Sequence, residues 1–425
     1  MDIRPLRSAA AQHAAHARDY LFSFFRWSVI ACLVGGAVGL AGTAFHFAMD
    51  KATEARELFP FLVWLLPLGG LVIVFLYRIC GVYESKGTNL VLSAVRSEER
   101  VPFRMAPLIF ASTVLTHLFG GSAGREGAAL QLGGSLAQTL GRFLHLDEKD
   151  MHIITMCGMS ACFSALFGTP LAATVFSMEV VSVGIMYYAA LVPCAVASLI
   201  AAGISGWFGV PPTFFSVSGI PQAAALVPML RTLVLAALCA AISVTFCYIL
   251  HGSSHLFQRF LPNPYLRAFL GGCGVLGLML LCGSRDYLGA GVPVIVQAIS
   301  GSAHPTAFLW KMIFTATTLA AGFKGGEIVP TFFVGATFGC FAGALLGLPP
   351  SFAAALGLCA VFCGVTNCPL TSMLIAFELF GFSGAPYFLL AVSVSYMLSG
   401  YYSLYSKQKI VYSKYKPEYI DAPTR

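Results

Sequence analysis

The stretch GSAGREGAALQLGGS, residues 121–135, places an arginine and a glutamate side by side between glycines in a strongly apolar chain. Charges are costly in such surroundings unless they are paired or belong to a functional site. Glycines let backbone N–H groups approach a ligand closely, and a helix that begins there presents unpaired donors and the positive end of its dipole. The stretch therefore predicts a broken helix whose start is able to hold an anion.

The composition of the chain places this stretch inside a membrane. The 425 residues are 58% hydrophobic and only 10% charged, with a mean hydropathy of +0.81. A helix that crosses the bilayer needs about 20 mostly apolar residues, and residues 22–47, 58–79, 232–250 and 384–403 qualify. Because the bilayer admits only helices or closed barrels, these unbroken runs predict an all-α, polytopic membrane protein without a soluble domain.

The cationic residues predict the orientation of the chain, because cytoplasmic segments of membrane proteins carry an excess of Lys and Arg. Three segments have this excess: the N-terminal segment with Arg4, Arg7, Arg18 and Arg26, a loop with Lys86, Arg96, Arg100 and Arg104, and the tail with Lys407, Lys409, Lys414, Lys416 and Arg425. We therefore expect both termini in the cytoplasm. The net charge of +7 indicates orientation and contact with anionic lipid, and nothing in it supports a nucleic-acid partner.

The cysteines and the first residues carry no further signal. The thirteen cysteines lie in apolar segments without a CxxC pair, so we interpret them as small buried side chains and expect no metal or other cofactor. The first twenty residues are too polar for a cleaved signal peptide.

An internal repeat divides the membrane domain. FSALFGTPLAATVFSMEV and FCGVTNCPLTSMLIAFEL each place a Phe seven residues before a Pro and a Glu nine residues after it, ending at Glu179 and Glu378. A Gly-rich segment with a glutamate, Glu126 or Glu327, precedes each Pro by 44 or 42 residues. Such repeats predict two halves of inverted topology whose broken helices meet at a midplane anion site. We divide the chain into an N-terminal segment 1–21, a membrane domain 22–410 with halves near 22–210 and 220–410, and a tail 411–425.

Glu126 and Glu327 are the candidate functional carboxylates. We interpret Glu126 as a tethered competitor that occupies the anion site and leaves it on protonation; the alternative is a structural salt bridge with Arg125. Two carboxylates beside one anion cannot both stay ionised, so Glu327 favours exchange of an anion for a proton. The alternative interpretation of Glu327 is an ion pair with Lys324. Lys324 itself either neutralises the site or attracts anions.

Other polar residues have two interpretations each. Glu179 and Glu378 either cap neighbouring helices, which we favour, or join a proton route. The Tyr405 phenol is an anion donor or an interfacial anchor, and the Thr88 hydroxyl is an anion donor or a helix cap. An intramembrane enzyme with Ser122 and His117 is an alternative of a different class, but no GxSxG motif supports it, and His117 is more simply a satisfied helical histidine.

At these residues the chain resembles the CLC family of chloride channels and proton-coupled anion transporters, from about residue 22 to 410. GREG at 124–127 is similar to the family motif GREGP, with Ala128 in place of Pro, and PLAATVFSME and PLTSMLIAFE are similar to its two PLxxxxxxxE segments. The resemblance implies a homodimer that is not an enzyme, with Glu126 as the gating and proton-accepting glutamate. It implies an anion site formed by Thr88, Gly124, Arg125, Gly127, Gly326, Ile328, Val329 and Tyr405, with Tyr402 as the second choice for the tyrosine.

Three departures from the majority family pattern are informative. GGIFxP is replaced by GGEIVP, which introduces Glu327 and Ile328; GSGIP survives only as GTNL at 87–90; and Val180 follows Glu179 where proton-coupled chloride members often have a second glutamate. These changes are similar to the bacterial fluoride-exporting branch (CLC-F), although members of that branch often carry Met at the Thr88 position and Thr at the Val329 position. Fluoride is strongly hydrated, and protonated carboxyl groups would supply the hydrogen bonds that replace its water.

The resemblance therefore predicts a proton-coupled fluoride exporter in the bacterial inner membrane, with Glu327 in the proton coupling. The alternative is a chloride/proton antiporter or a chloride channel of the same fold.

Overall fold

Helices make up most of the molecule. The computed structural model describes residues 4–82, 87–96, 99–222 and 225–424, so Lys86 and Arg425 lie outside the described residues. The described part contains sixteen α-helices: α1 Arg4–Leu58, α2 Leu66–Ile79, α3 Thr88–Val95, α4 Met105–Leu118, α5 Glu126–Phe143, α6 Glu148–Phe167, α7 Pro170–Glu179, α8 Leu191–Trp207, α9 Leu226–Phe260, α10 Pro264–Cys282, α11 Val292–Ile299, α12 Ala307–Ala320, α13 Ile328–Leu345, α14 Pro350–Thr366, α15 Pro369–Phe380 and α16 Ala385–Leu398. Two 3-10 helices, Pro60–Leu65 and Tyr188–Ala190, precede α2 and α8.

Seven helical stretches in the described residues are long and apolar enough to cross a membrane, which confirms a multi-pass membrane protein. One predicted span was wrong. The predicted span 384–403 contains α16, which has only 14 residues and reaches about 21 Å at 1.5 Å per residue. The boundary at residue 21 falls inside α1, which runs without a break through Arg4–Leu58, and the cytoplasmic placement of residues 1–21 stays a prediction.

Two helix pairs, one in each half, approach closely through glycines. A Cβ atom added to Gly133 of α5 would overlap the carbonyl of Gly158 on α6. The same happens between α13 and α14, where a Cβ on Gly335 would lie 2.5 Å from the carbonyl oxygen of Gly357. Small residues at such crossings let helix backbones pack directly against each other. The equivalent contacts place α5 and α13 in equivalent positions within the two halves.

Reciprocal carboxylate caps join α7 and α15. Glu179 at the end of α7 accepts hydrogen bonds from the backbone N–H groups of Leu370 and Thr371, at 3.0 and 2.8 Å, and from the Thr371 hydroxyl at 2.6 Å. Glu378 on α15 accepts two bonds of 2.9 Å from the first turn of α7. A carboxylate at a helix N-terminus satisfies unpaired donors and complements the dipole. Of the two interpretations of these glutamates, helix capping is the one the structure shows.

The tail packs against both halves through a small sheet that the all-α prediction omitted. Strand β1, Ser182–Val183, pairs in parallel with β2, Lys409–Tyr412, and β2 pairs antiparallel with β3, Tyr419–Pro423. The buried Gln408 donates to the carbonyl oxygens of Val180 and Thr366, at 2.9 and 2.8 Å. Gln408 and the adjoining sheet therefore lie at the ends of α7 and α14.

Candidate functional site

The starts of α5 and α13 meet through an isolated antiparallel β-bridge between Gly124 and Gly326, which we call the glycine bridge. Gly124 N–H donates to the carbonyl oxygen of Gly326 at 2.7 Å, and Gly326 N–H donates to that of Gly124 at 2.8 Å. A Cβ atom on Gly326 would lie 2.5 Å from the backbone nitrogen of Gly127 and 3.0 Å from that of Glu126. Only glycine permits this approach. The broken helices predicted from the two Gly-rich segments therefore face each other.

A second pair of hydrogen bonds defines how the two halves correspond. Ser122 N–H donates to Thr318 Oγ1 on α12 at 3.1 Å, and Lys324 N–H donates to Thr116 Oγ1 on α4 at 3.2 Å. With Ser122 matched to Lys324 and Gly124 to Gly326, the structural counterpart of Glu327 is Arg125. The repeat as read from the sequence, which matched Glu126 with Glu327, is out of register by one residue.

Glu126 opens α5, and its carboxylate lies at the start of α13. The residue is fully buried, and its Oε2 accepts a hydrogen bond from the backbone N–H of Val329 at 3.2 Å. Its Oε1 has no partner among the described residues. A carboxylate oxygen on an unpaired N–H in the first turn of a helix takes the place that a free anion would occupy. This arrangement is the one expected of a tethered competitor.

Glu327 precedes α13 and faces the start of α5 together with Thr88. A Cβ atom on Gly127 would lie 2.8 Å from the Thr88 hydroxyl oxygen and 3.4 Å from Glu327 Oε2. Within the described part of the chain, Glu327 Oε2 has no hydrogen-bond partner. The alternative ion pair with Lys324 is wrong, because the Lys324 ammonium lies 4.6 Å above the ring of Tyr77 instead. Glu327 is thus available to the site.

The segment that follows α16 supplies a buried phenol. Tyr405 is 1% exposed, lies within electrostatic range of Glu327 and Glu126, and its hydroxyl has no partner in the part of the chain that the structure describes. Tyr402, the second choice, is half-buried, and its carbonyl oxygen accepts from Asn367 at 3.0 Å. A phenol that is buried without a partner is a donor available to a ligand, so the geometry favours Tyr405.

Arg125 points away from Glu126 and toward α1. Its Nη1 lies 3.1 Å from His46 Nδ1 and 3.3 Å from Asp50 Oδ1, and its guanidinium lies 5.7 Å from the ring centre of Phe167. The alternative salt bridge between Arg125 and Glu126 is therefore wrong, and the ion pair is with Asp50. The predicted contribution of Arg125 to the anion site is limited to its backbone in this conformation.

A cavity of about 730 Å³ connects these side chains to the helix starts. We call it the Arg125 cavity, because Arg125 lines it together with His46, Asp50, Val329 and Phe332. Val329, whose backbone N–H donates to Glu126, is thus also a lining residue of this cavity.

Comparison with known proteins identifies the family. The pattern of the voltage gated chloride channel (CLC) family matches residues 69–400. The chain belongs to the CLC family. A chloride/fluoride channel protein of Pseudomonas syringae pv. tomato is 36% identical over 409 residues, covering 93% of this chain and 89% of the relative. The crystal structure of a CLC-type fluoride/proton antiporter superposes with a TM-score of 0.87 at 33% identity, covering 92% of this chain and 99% of that one. A slow cyanobacterial Cl−/H+ antiporter, 20% identical with a TM-score of 0.77 over 88% of this chain and 94% of its own, shares the fold.

Ser122 and His117, the pair considered for an intramembrane enzyme, each have a hydrogen-bond partner. Ser122 Oγ lies 3.1 Å from Thr315 Oγ1, and His117 Nδ1 lies 3.0 Å from the carbonyl oxygen of Thr113. Ser122 and His117 therefore each bond to a threonine and not to each other in these interactions. The relatives compared above are ion channels or transporters.

Sequence reasoning missed the partners of Arg125. His46 and Asp50 lie more than 70 residues earlier in the chain and contact each other at 3.1 Å. Their spacing of four residues on one helix places them on one face, which is the one signal the sequence contained. Helix packing, not local sequence, brings that face to Arg125.

Proposed function

We propose that this CLC protein exports fluoride in exchange for protons. The observation that carries the proposal is the Glu126 carboxylate on the Val329 N–H at the start of α13. While ionised, this carboxylate competes with a free anion for the same helix start. A proton neutralises it, weakens its attraction to the helix dipole, and lets the anion replace it. The exchange of carboxylate for anion thus links anion movement to proton movement.

Glu327 supports fluoride as the anion and adds to the proton coupling. An anion between Glu126 and Glu327 would bring three negative charges together, so at least one carboxyl group must be protonated when the anion is bound. A protonated carboxyl group donates a hydrogen bond. With the hydroxyl groups of Thr88 and Tyr405 it forms a set of strong donors suited to an ion that has lost its water.

We propose that both termini lie in the cytoplasm of a bacterial inner membrane and that the protein is a homodimer, as the family resemblance implies. In this orientation the chain begins inside, and the end of α1 that carries His46 and Asp50 lies outside. The Arg125 cavity then opens to the outer solution, and the tail sheet covers the inner side. Glu126 is the outer gate.

Reconstituted liposomes test the proposal. Vesicles loaded with fluoride should release it, measured with a fluoride electrode, while protons enter in proportion, measured with a pH electrode. Glu126→Gln should lower proton-coupled turnover by about 10²–10⁴-fold, because a positioned proton carrier is lost. The exposed Glu148 on α6 provides the matched control, and Glu148→Gln should keep both fluxes. Fluoride release without proton uptake in the wild-type protein would contradict antiport.

A chloride/proton antiporter or chloride channel of the same fold is separated by a second variant. Glu327→Ile removes the additional carboxylate. A fluoride exporter should lose fluoride turnover in this variant, whereas a chloride transporter should be indifferent or faster. Chloride flux equal to fluoride flux in the wild-type protein, together with an active Glu327→Ile variant, favours the chloride function.

A further inference from the structure

The side-chain contacts of Arg125 take no part in the anion and proton exchange described above. Arg125 precedes Glu126, and its carbonyl oxygen accepts the N–H of Ala129 at 3.0 Å, so its backbone forms part of the start of α5. Its side chain reaches His46 and Asp50 on α1 and the carbonyl oxygen of Leu166 on α6, at 3.5 Å. We call the three side chains of Arg125, His46 and Asp50 the α1 latch.

The latch requires one form of His46. A guanidinium only donates hydrogen bonds and an ionised carboxylate only accepts them. His46 Nδ1, 3.1 Å from Arg125 Nη1, must therefore be the bare acceptor, and Nε2, 3.1 Å from Asp50 Oδ2, must carry the hydrogen. Neutral imidazole with its hydrogen on Nε2 satisfies both contacts. The doubly protonated ring would turn an N–H toward the Arg125 N–H and place two cations side by side.

Protonation of His46 would also change the competition for Asp50. Asp50 Oδ1 accepts from Arg125 at 3.3 Å while Oδ2 faces His46. A charged imidazole binds the carboxylate more strongly, so Arg125 would lose its histidine acceptor and share the aspartate with a second cation. The guanidinium would retain the long contact with the Leu166 carbonyl and the face of the Phe167 ring. These weaker contacts leave Arg125 free to move.

We propose that His46 is a positioning residue for transport: in its neutral form it fixes Arg125 and the start of α5, and a proton taken up from the outer solution releases them and slows turnover. Imidazole groups change charge between about pH 5 and 8. The other titratable and charged side chains that share the cavity with His46 come from α1, α4 and the connection before α11: Glu54, Arg56, Glu57, His117, Arg285 and Asp286. This inference rests on the proposed fluoride/proton exchange.

The test compares pH profiles of two variants in liposomes. Fluoride flux is measured from pH 5.5 to 8 with equal pH on both sides, so that a fluoride gradient alone drives transport and protein orientation does not matter. His46→Asn keeps an acceptor oxygen near the position of Nδ1 but does not titrate. His255→Asn is the matched control, because His255 is an exposed residue of α9 that does not line the cavity.

The quantity that decides is the ratio of wild-type to variant flux at each pH, because all other titrating groups are common to both proteins. For His46→Asn this ratio should fall by about two- to tenfold as the pH drops from 8 to 5.5, the effect of losing one hydrogen bond. For His255→Asn it should stay constant. A constant ratio for His46→Asn in a protein that does transport fluoride overturns the inference and leaves the proposed function intact.

A spectroscopic measurement that does not depend on transport distinguishes failure of the α1 latch from failure of the proposed function. The ¹⁵N spectrum of imidazole-labelled protein at pH 8 should contain a neutral signal with hydrogen on Nε2 that disappears in His46→Asn. If the wild-type protein carries no fluoride, the proposed function fails, and this spectrum then decides the latch. Hydrogen on Nδ1 of His46 would overturn it.

Discussion

At the start of α5 a cation precedes the helix and a glutamate opens it, whereas at the start of α13 a glutamate precedes the helix and an isoleucine opens it. The backbones around Gly124 and Gly326 are equivalent, since each donates to the other. The side chains are not. Arg125 is drawn outward to α1, while Glu327 faces inward. The apolar Ile328 brings no charge of its own to the start of α13, which is the place where the Glu126 carboxylate lies.

A nearly symmetric backbone therefore carries an asymmetric set of side chains. Two identical helix starts would each hold an anion or each hold a carboxylate. Here one half contributes the Glu126 carboxylate, and the other contributes both the Val329 N–H that donates to it and a second carboxylate, Glu327. The paired glycine backbones are equivalent in the two halves, whereas the two glutamates are displaced from each other by one residue.

The largest effect on stability and flux is expected at Gly326, where the two helix starts approach each other most closely. Gly326→Ala places a methyl group 2.5 Å from the backbone nitrogen of Gly127, where only backbone could give way. We expect a loss of at least about 1–3 kcal/mol in stability and complete loss of fluoride flux, measured by melting in detergent and by the electrode assay. Gly277→Ala is the control, because an added Cβ there meets nothing within 4 Å. An active Gly326→Ala protein would mean that the bridge is not needed.

The next effect concerns Glu327, the carboxylate that precedes α13 at the position where Arg125 precedes α5. Glu327→Gln keeps the shape and a hydrogen-bond donor but cannot exchange a proton. Fluoride turnover should fall by about 10²-fold or more, with proton uptake reduced at least as much, because proton transfer by a positioned group contributes about 10²–10⁴-fold. The melting temperature should change little. Unaltered proton uptake would restrict Glu327 to anion binding and make Glu126 the sole proton carrier.

A smaller effect on stability is expected for the reciprocal caps of α7 and α15, which compare equivalent glutamates in the two halves. Glu179 is buried and accepts three hydrogen bonds, whereas Glu378 is partly exposed and accepts two. Replacing Glu179 with Ala should cost about 1–3 kcal/mol, since buried donors lose their charged acceptor. Glu378→Ala should cost about 0.5–2 kcal/mol, as for an ordinary cap. Melting curves give the order, and a larger loss for Glu378 would contradict burial as the cause.

The sequence was sufficient for those features whose signals are local. Apolar runs predicted the spans at 22–47, 58–79 and 232–250, the Gly-rich segments predicted the broken helices, and the proline-to-glutamate spacing predicted the repeat. The register of the repeat was not predictable in the same way, because sequence comparison aligns like residues while the glycine bridge aligns backbones. The contact of Arg125 with His46 and Asp50 also escaped, since it depends on how α1 packs against α5 and α6. The roles of Glu126, Glu327 and Tyr405 in transport stay predictions until fluxes are measured.

The smallest effect is expected in the tail, which has no counterpart in the other half. Lys414 Nζ donates to the carbonyl oxygen of Tyr396 at 2.9 Å and to Ser399 Oγ at 3.3 Å, and it contacts Asn367 Oδ1. These groups lie at the ends of α14 and α16, where a cation complements the helix dipoles. Lys414→Met should therefore lower stability by about 1 kcal/mol and leave the ratio of fluoride to chloride flux unchanged, because Lys414 binds helix ends and not the facing starts of α5 and α13. A changed flux ratio would show that the tail acts on the site, through Tyr405, and that the asymmetry of the anion path extends beyond the two helix starts.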